Sequence, residues 1–153
     1  MTPRRQGKGE RCHNGPVDAG EIADRLREGF ERDARGAIAV YLFGSVARGT
    51  AGAGSDVDVA VLFAAAPPRT LDGLPVALQA DLESITGRAI DLVALNSAPV
   101  DLVHRVLRDG ILVFEGDRAA RIRFEVRARN EYFDLLPVLQ EYRRPRSAPE
   151  VSR

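Results

Sequence analysis

The sequence predicts an α/β domain in which helices cover a single sheet. Four short apolar runs have strand length: AIAVYLF (37–43), VDVAVLF (57–63), AIDLVAL (89–95) and ILVFE (111–115). The segments around them repeat apolar residues at helical spacing, and glycine or proline punctuates the boundaries.

Each element has its own signature. In DAGEIADRLREGF, Asp18 and Glu21 stand at capping-box spacing. Ile22, Leu26 and Phe30 then share one helical face, and the helix ends near Gly36. The first two apolar runs are buried strands joined by a glycine-rich loop. AAPPRT breaks the chain after the second. From Leu71, the residues Leu74, Leu78, Leu82 and Ile85 recur at helical spacing until Gly87. The third strand follows. Ser97 and Pro99 open a short helix that stops at Asp109-Gly110. The fourth strand turns at Gly116-Asp117, and a long helix runs from Arg118 to about Arg144. The order is α-β-loop-β-α-β-α-β-α.

At 153 residues the chain fits one domain, expected over 18–144. The basic stretch 1–17 and the aperiodic stretch 145–153 read as disordered tails. Net charge is zero, so no global field draws the protein to nucleic acid or membrane. No apolar run approaches the roughly 20 residues of a membrane span, and the basic N-terminus lacks the apolar stretch of a signal peptide. Cys12 is the single cysteine, which excludes an internal disulfide and fits a reducing, cytoplasmic compartment. His13 and His104 are isolated, and Cys12-His13 has no companions of metal-site spacing.

The stretch YLFGSVARGTAGAGSDVDVAVLF (41–63) carries the chemistry. Alternate residues of a strand share a face, so Asp56 and Asp58 point the same way, about 6–7 Å apart along the backbone. Val57, Val59, Val61 and Phe63 point oppositely, into the core. Two carboxylates this close repel unless one is protonated or a cation lies between them. Hard oxygen pairs suit Mg²⁺, although two aspartates can also merely cap a strand at the surface. Ten residues separate Ser45 from Asp56. Gly44 allows a sharp turn and a close backbone approach, while Ser45 offers a hydroxyl and an amide. The VARG that follows can start a helix whose free amides face an anion. A phosphate cradle and a metal pair would thus meet at the ends of adjacent strands. Arg48 either adds positive charge or braces the loop.

Asp91 interrupts the apolar run AIDLVAL. An aspartate in a buried strand is costly unless paired or metal-bound. It is a hydrogen-bonded structural acid, a shared metal ligand, or a base beside an attacking hydroxyl.

These residues resemble the DNA polymerase β-like nucleotidyltransferase superfamily. GSVARGTAGAGSDVDVAVLF carries its G-S-x₁₀-D-x-D pattern, and Asp91 stands as its third acid. The short length, GSVARG and IDLVALNSAP…LRDGILVFE resemble its minimal MNT branch, over about residues 20–142. The resemblance implies a mixed sheet with flanking helices. It implies metal-dependent transfer of a nucleotide from a nucleoside triphosphate, with release of pyrophosphate. By position, Gly44 and Ser45 match the phosphate-binding pair, with Arg48 beside them. Asp56, Asp58 and Asp91 match the catalytic, metal-binding acids. Two Mg²⁺ and ATP are the implied cofactor and substrate. Many MNT proteins are antitoxins that transfer AMP to a tyrosine of a HEPN-type toxin, so a hetero-oligomer with such a toxin is implied. Neither nucleic acid nor membrane is an expected partner. Relatives that adenylylate small molecules such as aminoglycosides offer a second reading. A non-catalytic antitoxin that blocks its toxin by contact is a third, against which the intact acids stand.

The last helix carries two apolar stripes. Phe124, Ala128, Tyr132, Leu135, Leu139 and Tyr142 form one, and Ile122, Val126, Phe133 and Leu136 form a flanking row. One should pack on the sheet; the excess width suggests a partner surface or a more deeply buried helix. Pro137 should kink the helix or loosen one backbone bond. Arg121, Arg123, Arg127 and Arg129 read as a solvated face.

Overall fold

The structure, a computed structural model, describes residues 18–67 and 74–143. The expected disordered tails at 1–17 and 145–153, Cys12, His13 and the helical onset at Leu71 lie outside the described residues.

Among the described residues the four strands and four longer helices follow the predicted order, and a fifth, one-turn helix lies in the loop between the first two strands. α1 (Ala19–Arg32) is opened by Asp18, whose carboxylate accepts the Gly20 amide at 2.8 Å. Glu21 completes no box; it pairs along the helix with Arg25. β1 (Ala37–Phe43) and β2 (Val57–Phe63) have the predicted bounds. α2 (Gly44–Ala47) is one turn between them. α3 (Leu74–Thr86), β3 (Ile90–Ala94), α4 (Val100–Asp109) and β4 (Ile111–Glu115) follow, with a 3₁₀ turn at Leu95–Ser97 before α4. α5 (Arg118–Arg143) runs through Pro137. No described helix is long and apolar enough to cross a membrane.

The sheet has the order β3-β2-β1-β4 and is mixed. β1 pairs antiparallel with β2 and β4, while β2 pairs parallel with β3. The parallel step requires a crossover, which α3 supplies. Both central strands are buried on both faces beyond their ends, which explains their continuous apolar runs. On one face Val40, Leu42, Val57, Val59, Val61 and Phe63 meet Leu26 and Phe30 of α1 and Leu78 and Leu82 of α3. On the other, Ala39, Tyr41, Ala60 and Leu62 meet Val103 and Val106 of α4 and Ala128 of α5.

A polar clamp fixes α5 to the sheet. The buried Tyr41 hydroxyl donates to Glu125 Oε1 at 2.7 Å, and Arg121 pairs with both Glu125 and Glu115. Burial and the Glu125 carboxylate push the Tyr41 phenol well above its ordinary range, so it stays a donor. Only part of the predicted stripe faces inward. Ala128 is buried, and Phe124, Tyr132 and Leu139 are half-buried, together with Leu136 from the flanking row. Tyr142 is exposed because α5 outruns the body it packs on; Leu135, still alongside α4, is exposed because it turns away from that body, while Leu136 beside it is half-buried. Phe124 lies beside Leu95 and Ala98, before α4, and Tyr132 stacks on His104 within α4 at 3.6 Å between ring centroids. From that stack α4 continues about 8 Å to Asp109 and α5 about 16 Å to Arg143, so α5 outruns α4 by roughly 9 Å at 1.5 Å per residue.

Tyr41→Phe should cost about 0.5–1.5 kcal/mol, the net value of one hydrogen bond. A urea titration should show a lower midpoint with an unchanged slope.

Candidate active site

The site forms where β1 ends and β2 begins. Phe43, the last residue of β1, is the register partner of Asp58. The backbone then turns at Gly44, with φ of +71°. A Cβ on Gly44 would overlap Asp58 Oδ2 and come within 2.7 Å of its Cγ. Glycine is required there for both the left-handed conformation and the contact. Backbone bonds fix the turn: the Arg48 amide donates to Gly44 O at 3.2 Å, Gly49 to Val46 O at 3.1 Å and Thr50 to Ser45 O at 3.0 Å. The expected helix after Ser45 exists, but it begins at Gly44 and lasts one turn.

The second half of the loop is pinned separately. The Gly52 amide donates to Ser55 Oγ at 3.0 Å, and Arg88 donates to Ala53 O at 2.9 Å. The Val57 amide then reaches Ala89 O at 2.9 Å, docking the start of β2 on the approach to β3. Asp56, just before β2, is exposed; Asp58, one pleat on, is half-buried.

β3 brings in the third acid. Asp91 is the parallel register partner of Asp58, so the two carboxylates emerge side by side on one face. The burial expected for Asp91 is overturned: it is exposed, because β3 is an edge strand. Its apolar neighbours reflect packing of Ile90 in the core, not enclosure of the acid.

The three acids form one negative cluster. Asp58 is held above its ordinary carboxylate value, first by burial, then by the charges of Asp91 and Asp56. Among the described residues, Arg48 is the cation that opposes the shift. Arg48 also acts on Asp109, which Arg108 grips through two bonds of 2.7 Å and holds below its usual range. This electrostatic influence across the end of β1 has no sequence signature, since it depends on Leu42 pairing with Ile111. His104 and Tyr132 lie next along the same rim.

The donor set fits a hard divalent cation: three carboxylates with an unmet negative charge, one pressed against a backbone turn that leaves room for nothing larger than hydrogen. Among the described residues, no three acids close tightly enough to enclose a metal by themselves. Mg²⁺ takes one or two carboxylates and completes its octahedron with water and phosphate oxygens.

This arrangement has a known counterpart. The profile "Polymerase beta, Nucleotidyltransferase" matches residues 26–119, more than half of the chain. The chain belongs to the polymerase β nucleotidyltransferase family. It is a nucleotidyltransferase with a mixed sheet and flanking helices, as its sequence resemblance implied. It is similar to a crystal structure of a toxin-antitoxin with AMP-PNP, at 26% identity and a TM-score of 0.67, over 78% of this chain and 94% of that one. A candidate minimal nucleotidyltransferase is 34% identical with a TM-score of 0.50, over 69% of this chain and 98% of that one. The fold also recurs in a complex of a tri-AMPylated Shewanella oneidensis HEPN toxin with its MNT antitoxin. There the identity is 22% and the TM-score 0.63, over 81% of this chain and 94% of that one. No curated protein matches the chain.

The raised Asp58 carboxyl has a pH consequence. Its charge opposes folding above its folded pKa, and the penalty vanishes below the unfolded value of about 4. Asp58→Asn should therefore raise the melting temperature of the chelator-treated protein at neutral pH. The gain should disappear as the pH falls below about 4, as a thermal-melt series across pH will show.

Proposed function

We propose that this chain is an antitoxin enzyme that transfers AMP from ATP to a tyrosine of a HEPN-type toxin and releases pyrophosphate. It works in the cytoplasm as a hetero-oligomer with that toxin. The observation that carries the reading is the pairing of Asp58 with Asp91 beside the Gly44 turn, within a nucleotidyltransferase fold. Likeness to a toxin-antitoxin bound to AMP-PNP favours a protein acceptor over a small molecule such as an aminoglycoside.

The roles follow from placement. The Gly44 turn lets the triphosphate approach the backbone, and Ser45 supplies an amide and a hydroxyl to its oxygens. Arg48, exposed at the end of α2, adds positive charge on the same side. Asp56, Asp58 and Asp91 would hold two Mg²⁺. When bound, the metals neutralise charge on the triphosphate and help align the reacting groups. Asp91 faces solvent at the sheet edge, where an incoming hydroxyl can reach it and give up its proton. The tyrosine oxygen bonds to the α-phosphorus as the bond to the pyrophosphate oxygen breaks.

The partner surface lies on α5. Ile122, Val126 and Phe133, spaced four and seven residues apart, form one exposed apolar row; Phe133 is 57% exposed. Leu135 is exposed beside the end of α4, and Val138 and Tyr142 are exposed where the helix outruns it towards the catalytic end. The toxin is assigned to this face, with its tyrosine held within reach of Asp91.

Two experiments bear on these assignments. Asp91→Asn should lower AMP transfer by roughly 10² or more while ATP binding persists, and Asp56→Ala should abolish transfer. Mass spectrometry of the co-expressed partner reads the first quantity and ATP titration the second. Full activity of either variant would remove that acid from the mechanism. Separately, Val126→Glu with Phe133→Glu should leave circular dichroism unchanged and eliminate toxin pull-down. A folded double variant that still binds would clear α5 of the role.

A further inference from the structure

A second recess opens at the end of the sheet opposite the carboxylates. Ile38, Leu62 and Phe63 form its floor, Asn96 one side, and Arg123, Phe124 and Arg127 of α5 the other. Its volume is about 260 Å³. Asn96, Phe124 and Arg127 are shared with a smaller recess of about 140 Å³ that continues between α5 and the start of α4. Leu62 lies on the same face as Asp58 but four residues along β2, about 13 Å away at 3.3 Å per residue. The two sites are therefore separate.

The walls are rigid and the chemistry is uneven. Asn96 cross-braces the floor: its Oδ1 accepts the Phe63 amide and its Nδ2 donates to Phe63 O, each at 2.9 Å. Arg121, one turn back, is consumed by Glu115 and Glu125. Arg123 and Arg127 form no ion pair among the described residues, although they stand one turn apart on the recess wall. Arg127 lies over the Phe124 ring, 5.8 Å from its centroid. Two guanidinium groups without a carboxylate partner among the described residues, one of them over an aromatic ring and both above an apolar floor, suit a ligand with an oxyanion at one end and, at the other, a flat ring that can pack beside Phe124. Either recess alone falls below the roughly 300 Å³ at which drug-sized sites begin, which excludes a large cofactor.

We propose that this recess binds a nucleoside monophosphate unit, with the phosphate between Arg123 and Arg127 and the base against Phe124. Free AMP and the 5′-phosphorylated end of an RNA strand present the same chemistry.

Calorimetric titration of AMP into the full chain in EDTA tests the site with metal-dependent binding suppressed. Ser45→Ala, which alters only the catalytic loop, should bind AMP as the unchanged protein does. Arg123→Gln with Arg127→Gln should weaken binding at least tenfold while thermal melting stays the same, since both side chains are exposed. A 5′-phosphorylated oligonucleotide run alongside its 5′-hydroxyl counterpart identifies the source. A phosphate-dependent gain over AMP assigns the site to RNA ends, and its absence assigns it to the free nucleotide. No binding at millimolar AMP, or binding lost in Ser45→Ala and kept in the double arginine variant, would overturn the proposal.

Discussion

Everything at the catalytic end depends on the register of β2. One strand fixes Asp58 opposite Phe43 on one side and opposite Asp91 on the other. The register is held by apolar residues on both faces. A slip of one residue would drive Asp58 into the layer under α1 and α3 and force the valines packed there into the space that Ala60 and Leu62 fill under α4 and α5. Burial of Val57, Val59, Val61 and Phe63 thus aims a carboxylate at the edge of the core. Gly44 completes the fit, because only a residue without a side chain can turn the chain over that carboxylate.

The pieces of the site close to each other in sequence were legible; those brought together by topology were not. β1 and β2 are buried on both faces, so they stand out as unbroken apolar runs. The loop between them is local: strand alternation places Asp58, and short sequence separation brings Gly44, Ser45 and Asp56 to the same end of β1 and β2. Asp91 could be picked out as anomalous, but its environment could not. An apolar run looks the same in a central strand and in an edge strand with one buried residue, and only the order β3-β2-β1-β4 decides between them. The electrostatic reach from Arg48 to Asp109 needs β4 beside β1, which no spacing encodes.

α5 shows the same limit. Helical periodicity drew two stripes without deciding which packs inward. The structure covers Phe124, Ala128, Tyr132 and Leu139 of the first and Leu136 of the second. Where cover ends depends on the length of α4, and Tyr142 continues the pattern past that support and becomes surface. The clamp of Tyr41, Glu125, Arg121 and Glu115 sets the tilt from which this overhang projects. A hydrogen-bonded group in the interior thereby determines where an apolar surface is presented outside.

The edge position of Asp91 has a consequence beyond the reaction. A free strand edge is a template on which another chain can pair, and proteins blunt such edges with charge. β3 is an edge without another carboxylate of its own. A second copy adding there would bring its backbone alongside a cluster of three acids, where like charges repel. β4, the opposite edge, exposes Ile111 and Leu112 but is bracketed by the Arg108-Asp109 pair and Glu115. The acid that completes the site is therefore also a guard against edge-to-edge aggregation. Under the proposed mechanism, neutralising Asp91 would lower solubility as well as activity, and the first loss would be invisible to any assay of turnover on dilute protein.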